Sequence, residues 1–374
     1  MNVGIYEEEY PNRLHPLSLL TPVFELRFGF RTILSRIRDA LGEIDLFMVP
    51  ERFQPILHKK YGEDKSVPKG RTLLVNSSTR PNVYERIKGL KEGQAIFQDQ
   101  EFVALAGRVP ERLTRRGLRE EGFEILEGAS MLIEGPWELI EGLKEGIRGR
   151  GVVYGRNVRL EEPVYVDTYE GPILIADGVK IEAFTRISGP AYIGKNSVVH
   201  SARINPYSYV GDVCRIGGEV EFSIMEPYSN KTHHGYLGHS YVSSFVNIGA
   251  GATTSDLKNT YGTVRVDHLG KRIDTGLRKL GSFISAHAKI SINASIYSGK
   301  KVGAASHVHG LVEENVPPFV IYEGKGRFKE LLVESAIETA SRMKERRGLI
   351  LTKEEEELIR KAFEMSRSER DGYG

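Results

Sequence analysis

Aliphatic residues recur at every sixth position along much of this chain. Ile175, Ile181, Ile187, Ile193 and Val199 are each six apart, and Ile204, Val210 and Ile216 resume the step after a one-residue slip. Val242 and Ile248 repeat it, and Ile284, Ile290, Ile296, Val302 and Val308 form a second unbroken run. An α-helix returns to one face at three, four or seven residues, and a flat strand at two. A period of six fits neither. It fits a parallel β-solenoid, in which six residues make one short strand and a turn, and three such units make a triangular coil. The aliphatic side chain points inward and stacks on its equivalent in the next coil. Gly178, Gly194, Gly211, Gly249 and Gly303 relieve the corners. The pattern predicts a solenoid domain over residues 151–320.

The flanks read differently. Over residues 1–150, strands are expected at Val3–Tyr6, Ile44–Val49 and Arg71–Asn76, with a hairpin from Ala95–Phe97 to Phe102–Ala106. Helices are expected at Phe30–Leu41, stopped by Gly42, and at Pro110–Glu121 and Trp137–Ile147. Their alternation predicts a small α/β domain. After Asn315-Val-Pro-Pro318, residues 321–374 read as helical. The first helix is expected at Phe328–Arg346, with Leu331, Leu332, Ile337 and Ala340 or Met343 on its stripe. Thr352 is placed to cap a second, with Glu354 to Glu356 in its first turn.

The six-residue step breaks at 226–238 and at 255–279. Insertions at solenoid corners often carry function. The first break brings His233, His234 and, just beyond it, His239, and reads as a loop thrown out from the wall. A histidine there is commonly only solvated, and three in one loop also suggest a metal. The reading adopted is that one of them is a catalytic base, because imidazole titrates near cytoplasmic pH. The second break holds Lys258, Arg265, Lys271, Arg272, Arg278 and Lys279, either a solvated surface or a site for anionic groups.

Composition removes several classes. The 52 Lys and Arg nearly balance the 50 Asp and Glu, for a net charge of +2, so nothing points to nucleic acid or a membrane surface. The single cysteine, Cys214, excludes an intramolecular disulfide and a cysteine-rich zinc site. The acidic start lacks the features of a signal peptide, and no apolar run reaches the length of a membrane span. A cytoplasmic location is expected.

Two groups of residues carry a family resemblance. Asn12-Arg-Leu-His-Pro-Leu-Ser18 resembles the Arg-Leu-x-Pro-Leu-Thr segment of sugar-phosphate nucleotidylyltransferases. The family's glycine-rich phosphate loop is replaced by Tyr6-Glu-Glu-Glu-Tyr-Pro-Asn12, whose carboxylates would repel a triphosphate, and its metal-binding aspartate would fall near Asn76-Ser-Ser78. Thr232-His-His-Gly-Tyr-Leu-Gly238 and Val246-Asn-Ile-Gly-Ala-Gly-Ala-Thr-Thr254 are similar to the acetyltransferase half of the bifunctional UDP-N-acetylglucosamine pyrophosphorylase / glucosamine-1-phosphate N-acetyltransferase family. The chain looks like a divergent member with a reduced nucleotidylyltransferase-like N-terminal domain.

The resemblance implies a left-handed parallel β-helix, a homotrimer and acetyl-CoA-dependent N-acetylation of an amino sugar or its 1-phosphate. It puts the general base at His233, with His234 reached by a one-residue slip. It puts the amino sugar at Tyr236 and Asn247, with Lys231, Arg203 or Lys258 as substitutes for phosphate-binding residues that fall here on Asn205 and Ser223. It puts acetyl-CoA at Ala250 and near Ser282; Arg278 and Lys279, from the basic second break, are read as partners for its phosphates. A family asparagine appears as Asp256, which suits an amine. No metal is implied for this chemistry; Mg2+ is implied only if the N-terminal domain is active. The alternatives are a nucleotidylyltransferase that uses the solenoid to trimerise, and a non-catalytic assembly protein of the same fold.

Overall fold

The computed structural model describes residues 1–371, so the last three residues of the predicted 321–374 segment lie outside it. The chain forms two compact units. One comprises Met1–Leu14, Thr21–Arg27 and Arg31–Gly135; the other comprises His15–Leu20, Phe28–Phe30 and everything from Pro136.

The first unit is built on a six-stranded sheet in the order Ile44–Met48, Asn2–Tyr6, Arg71–Asn76, Glu101–Arg108, Gln94–Gln98, Glu124–Glu127. The first three strands are parallel, and Glu101–Arg108 runs against both its neighbours. Ile5, Leu46, Leu74, Phe97 and Leu105 are buried along it. The expected helix at Phe30–Leu41 begins only at Ile33. Thr32 is extended and its side chain accepts from Ser35 N, so it is the cap rather than part of the helix; Gly42, at φ 116°, ends it. The Pro110–Glu121 helix shortens to Arg115–Glu120, with Thr114 as its cap. A helix at Gln54–Tyr61 was not anticipated.

In the second unit the expected Trp137–Ile147 helix is a single turn, Trp137–Glu141, followed by a 3-10 turn at Gly142–Glu145. The six-residue step then becomes a parallel solenoid. Three short strands make a coil: Tyr241–Val242, Asn247–Ile248 and Thr253–Thr254 stack on Phe283–Ile284, Lys289–Ile290 and Ser295–Ile296. Those stack in turn on Lys301–Val302, His307–Val308 and Leu311–Val312. The register sets Val242 over Ile284 over Val302, and Ile248 over Ile290 over Val308. Each buried aliphatic of these columns contributes about 1.5–3 kcal/mol.

Two corners turn without glycine. Tyr228, Phe245 and His287 have φ near 60° and stack ring on ring, with centroids 4.9 and 5.1 Å apart. Tyr207, Phe222 and His239 form a second such column. Stacking offsets the roughly 1–3 kcal/mol cost of a left-handed residue.

The first predicted interruption does not leave the solenoid. Asn230–Lys231 and Tyr236–Gly238 pair in register with Arg215–Glu221, so 226–238 is an ordinary coil whose period is hidden. Lys231 holds the inward position beside Ile216 where an aliphatic was expected, and is 1% exposed. The second interruption does leave. Residues 255–279 carry an antiparallel hairpin, Arg265–His268 with Lys271–Asp274, and Leu257 bridges Lys279 at its neck.

Phe328 belongs to a strand, Arg327–Glu330, paired antiparallel with Val320–Gly324, so the first C-terminal helix starts at Val333 and runs to Glu345. Leu331 and Leu332 therefore lie before the helix, and Leu332 is 66% exposed. The helix Lys353–Met365 has the expected Thr352 cap, closed into a capping box by Glu355. Among the described residues no helix is long and apolar enough to cross a membrane.

Candidate active site

The polar side chains that converge on the solenoid wall come from three successive coils. Glu221 ends the strand Arg215–Glu221, and Tyr236 opens the strand paired to it. His239 follows that strand at the aromatic corner, its ring stacked on Phe222 at 4.9 Å and 12°. Asp256 lies at the root of the hairpin insertion, where its carbonyl accepts from Leu280 N at 2.7 Å. Lys279 closes the other side of the root.

The Asp256 Oδ2 atom receives two hydrogen bonds, from the Tyr236 hydroxyl at 2.8 Å and from His239 Nδ1 at 2.7 Å. The Tyr236 oxygen also lies 3.1 Å from Glu221 Oε2, and Lys279 Nζ lies 3.2 Å from Glu221 Oε1. The result is a chain of contacts Lys279–Glu221–Tyr236–Asp256–His239. The His239 and Asp256 side chains are only 12% and 11% exposed. Burial alone would raise the Asp256 carboxyl, but hydrogen bonds from His239 and Tyr236 outweigh it and hold the pKa below the usual carboxylate range. Burial and the two carboxylates push the Tyr236 phenol well above its ordinary value, so it acts as a hydroxyl donor. With Asp256 ionised, His239 is oriented with Nδ1–H toward it, and Nε2 is left as the basic atom.

The other predicted residues are dispersed. His233 and His234 are exposed at the corner between Asn230–Lys231 and Tyr236–Gly238, and among the described residues neither imidazole makes a hydrogen bond. Lys231 Nζ donates to the carbonyls of Gly217, His233 and Gly235 at 2.9, 3.1 and 2.7 Å. It therefore ties that corner to the coil below, and burial lowers its pKa to about 8. Asn247 lies on another face, accepting from Asn230 at 3.4 Å. The Ala250 carbonyl accepts from Asn293 N at 2.8 Å. Ser282 is buried in the wall, with its N–H donating to Ser240 Oγ. Lys258 Nζ donates to Thr263 O at 2.9 Å, and Arg278 is exposed.

Glu221 was not singled out from the sequence, and His239 was not singled out from its two neighbours. A signal for His239 did exist. Tyr207, Phe222 and His239 follow one another at solenoid corners, and an imidazole in an aromatic column is a ring with a polar edge.

In the first unit, Glu7 is buried, and its pKa is pushed up to about 8, chiefly by that burial. Glu9 pairs with Arg52 at 2.8 Å. The Glu7–Glu9 segment thus carries less free negative charge than its sequence suggests. Asn76, at the position expected for a metal ligand, has both amide atoms engaged: Nδ2 donates to Glu8 and Phe102 O, and Oδ1 accepts from Ser78 N. That arrangement does not fit a Mg2+ ligand.

Residues 3–149 match the family model for sugar nucleotidyl transferase. A bifunctional sugar-1-phosphate nucleotidylyltransferase/acetyltransferase of Sulfurisphaera tokodaii is 34% identical over 192 residues, covering 49% of this chain and 45% of the relative. The bifunctional protein GlmU of Burkholderia thailandensis is 30% identical over 209 residues, covering 54% and 41%. Over about half its length the chain is similar to bifunctional proteins of the GlmU type. It spans less than half the length of these curated relatives. The crystal structure of PerB from Caulobacter crescentus, in complex with CoA and GDP-perosamine, is 11% identical, covering 86% of this chain and 92% of that one, at a TM-score of 0.17, too slight a likeness to carry weight.

Proposed function

We propose that this GlmU-like chain transfers an acetyl group from acetyl-CoA to the amine of an amino sugar or amino-sugar 1-phosphate. The observation that carries the reading is the His239–Asp256 pair, 2.7 Å apart and flanked by Tyr236 and Glu221. An amino sugar arrives largely as an ammonium ion, which a site with two carboxylates favours. It is a nucleophile only after losing a proton. His239 Nε2 takes that proton, and Asp256 stabilises the imidazolium formed. The amine nitrogen then bonds to the acetyl carbon, the carbon–sulfur bond breaks, and the second nitrogen proton passes to the departing sulfur, which leaves as the thiol of coenzyme A. Acetyl-CoA supplies the thioester; the resemblance puts it at Ala250, whose carbonyl accepts from Asn293 N in this structure. The same resemblance names His233 as the base and a homotrimer as the working assembly, in which a neighbouring subunit faces His233.

A second reading, sugar-1-phosphate nucleotidyl transfer by the first unit, has the family match over residues 3–149 in its favour. The engaged Asn76 amide stands against it.

One assay separates these. Purified protein is incubated with acetyl-CoA and amino sugars, with and without a 1-phosphate, and free thiol is followed for wild type, His239→Ala and His233→Ala. Loss confined to His239→Ala supports the geometry, and loss confined to His233→Ala supports the resemblance. Release unaffected by either removes the proposed chemistry. Pyrophosphate-dependent release of UTP or dTTP from nucleotide sugars tests the second reading.

A further inference from the structure

A pocket of about 380 Å3 opens where the hairpin insertion leaves the solenoid. Its walls carry Lys258, Arg265, Arg272 and Lys300, with Tyr297 and Ser298 among them. Among the described residues, no carboxylate lines it. Four cations around one cavity repel one another, and an anion placed among them relieves that repulsion.

Their existing partners leave capacity to spare. Arg265 reaches Asp274 only at 3.4 Å and Arg272 reaches Asp267 only at 3.8 Å, in exposed pairs that hold little energy. Lys258 Nζ donates to one backbone carbonyl, that of Thr263. Lys300 Nζ makes no hydrogen bond or ion pair among the described residues, although the residue is half-buried. Burial lowers its pKa, which marks an ammonium short of solvation. The two guanidinium groups supply the forked donors that suit phosphate oxygens.

We propose that this pocket binds the phosphate groups of a phosphorylated ligand. Its volume lies in the range that holds a nucleotide-sized molecule. The Tyr297 ring, 47% exposed at the wall, offers a face for a base or sugar. Ser255 and Leu257 in the wall flank Asp256 in sequence, so one short segment carries both the phosphate pocket and the acid–base cluster. Two sources of phosphate fit: coenzyme A, or the phosphate of the acceptor sugar. Only the choice between these sources rests on the acetyl-transfer reading.

The test is calorimetric titration of the full chain with inorganic pyrophosphate, adenosine 3′,5′-bisphosphate, coenzyme A, dephospho-coenzyme A and glucosamine 1-phosphate. Saturable binding that weakens with salt is expected for pyrophosphate. Arg272→Gln and Lys300→Gln should each weaken it about tenfold, the loss of one charge-assisted contact. Lys300→Arg should restore binding, which separates loss of charge from loss of fold. Coenzyme A binding more tightly than its dephospho form assigns the pocket to the coenzyme, and tighter binding of glucosamine 1-phosphate assigns it to the acceptor. No saturable binding of any probe, or binding unchanged in the Arg272→Gln/Lys300→Gln double variant, overturns the proposal. If phosphate binds but no thiol is released in the transfer assay, the acetyl-transfer reading falls and the anion site stands.

Discussion

His239 Nδ1 lies 2.7 Å from Asp256 Oδ2, the same oxygen that the Tyr236 hydroxyl reaches at 2.8 Å. A carboxylate that accepts from both fixes the imidazole tautomer and supplies the charge that an imidazolium needs. Asp256→Asn keeps the size and an acceptor oxygen but removes that charge. Acetyl transfer should fall by about 10²-fold or more in kcat, with KM for acetyl-CoA little changed. If His233 is the base instead, kcat should be little changed by Asp256→Asn, and that result would remove His239 from the chemistry.

Lys231 gives a prediction about stability. Its folded pKa of about 8 lies below the unfolded value near 10.5. Between those values the unfolded chain binds the proton and the folded chain does not, so stability rises with pH across that window. Below it, the cost of burying the charge is present in full. Lys231→Met keeps the length and apolar stem but cannot titrate. Denaturant unfolding from pH 8 to 10 should show a slope lower than wild type by up to about 1.4 kcal/mol per pH unit. Equal slopes would mean that the ammonium is not desolvated as described. Lys289 and Lys301, both near 7, contribute alike to the two proteins and cancel in the comparison.

Lys231 also explains where sequence reading stopped. The solenoid was legible because Ile and Val at every sixth place have few other folds. At 226–238 the inward positions are Lys231 and Leu237, and one polar residue among so few was enough to make a regular coil resemble a loop. The hairpin insertion was legible as a break, because its charges leave no inward position. The C-terminal helix was placed too early: Phe328 and Leu331 have a helical spacing, yet the solenoid end needed an antiparallel strand to pair its last edge. Motif position alone points to His233. The orienting carboxylate that favours His239 comes from a residue 17 places onward, in the next coil, and no local pattern links the two.

In the first unit, Glu7 should show the opposite pH dependence. Burial raises its folded pKa to about 8, above the ordinary value of 4.5. The stability it provides is complete below the unfolded value and is lost as pH rises through 8. Glu7→Gln keeps an oxygen for Val23 N, which donates to Glu7 Oε2 at 2.8 Å, and does not ionise. At pH 5 the variant and wild type should be of similar stability; at pH 9 the variant should be the more stable. Hydrogen exchange of Asn2–Tyr6 amides reads this locally. A variant less stable than wild type at pH 9 would show that Glu7 is held as a carboxylate.

The corner that carries His233 and His234 depends on Gly235. Its φ is 124°, and a Cβ built there would lie 2.1 Å from the Ala252 carbonyl oxygen. Backbone on backbone cannot give way as a side chain can, so the strand and the corner would have to separate. The left-handed conformation alone costs about 1–3 kcal/mol for a residue with a Cβ. Separation would also strain the Lys231 contacts to the Gly235 and His233 carbonyls. Gly235→Ala should therefore lower stability by more than about 2 kcal/mol and increase exchange of the Gly251 amide, which donates to His234 O. Gly262→Ala, where the nearest contact is the Lys258 ammonium at 3.7 Å, is the control and should be nearly neutral. Equal stability of the two variants would mean that the coils around His233 are not packed at the spacing described.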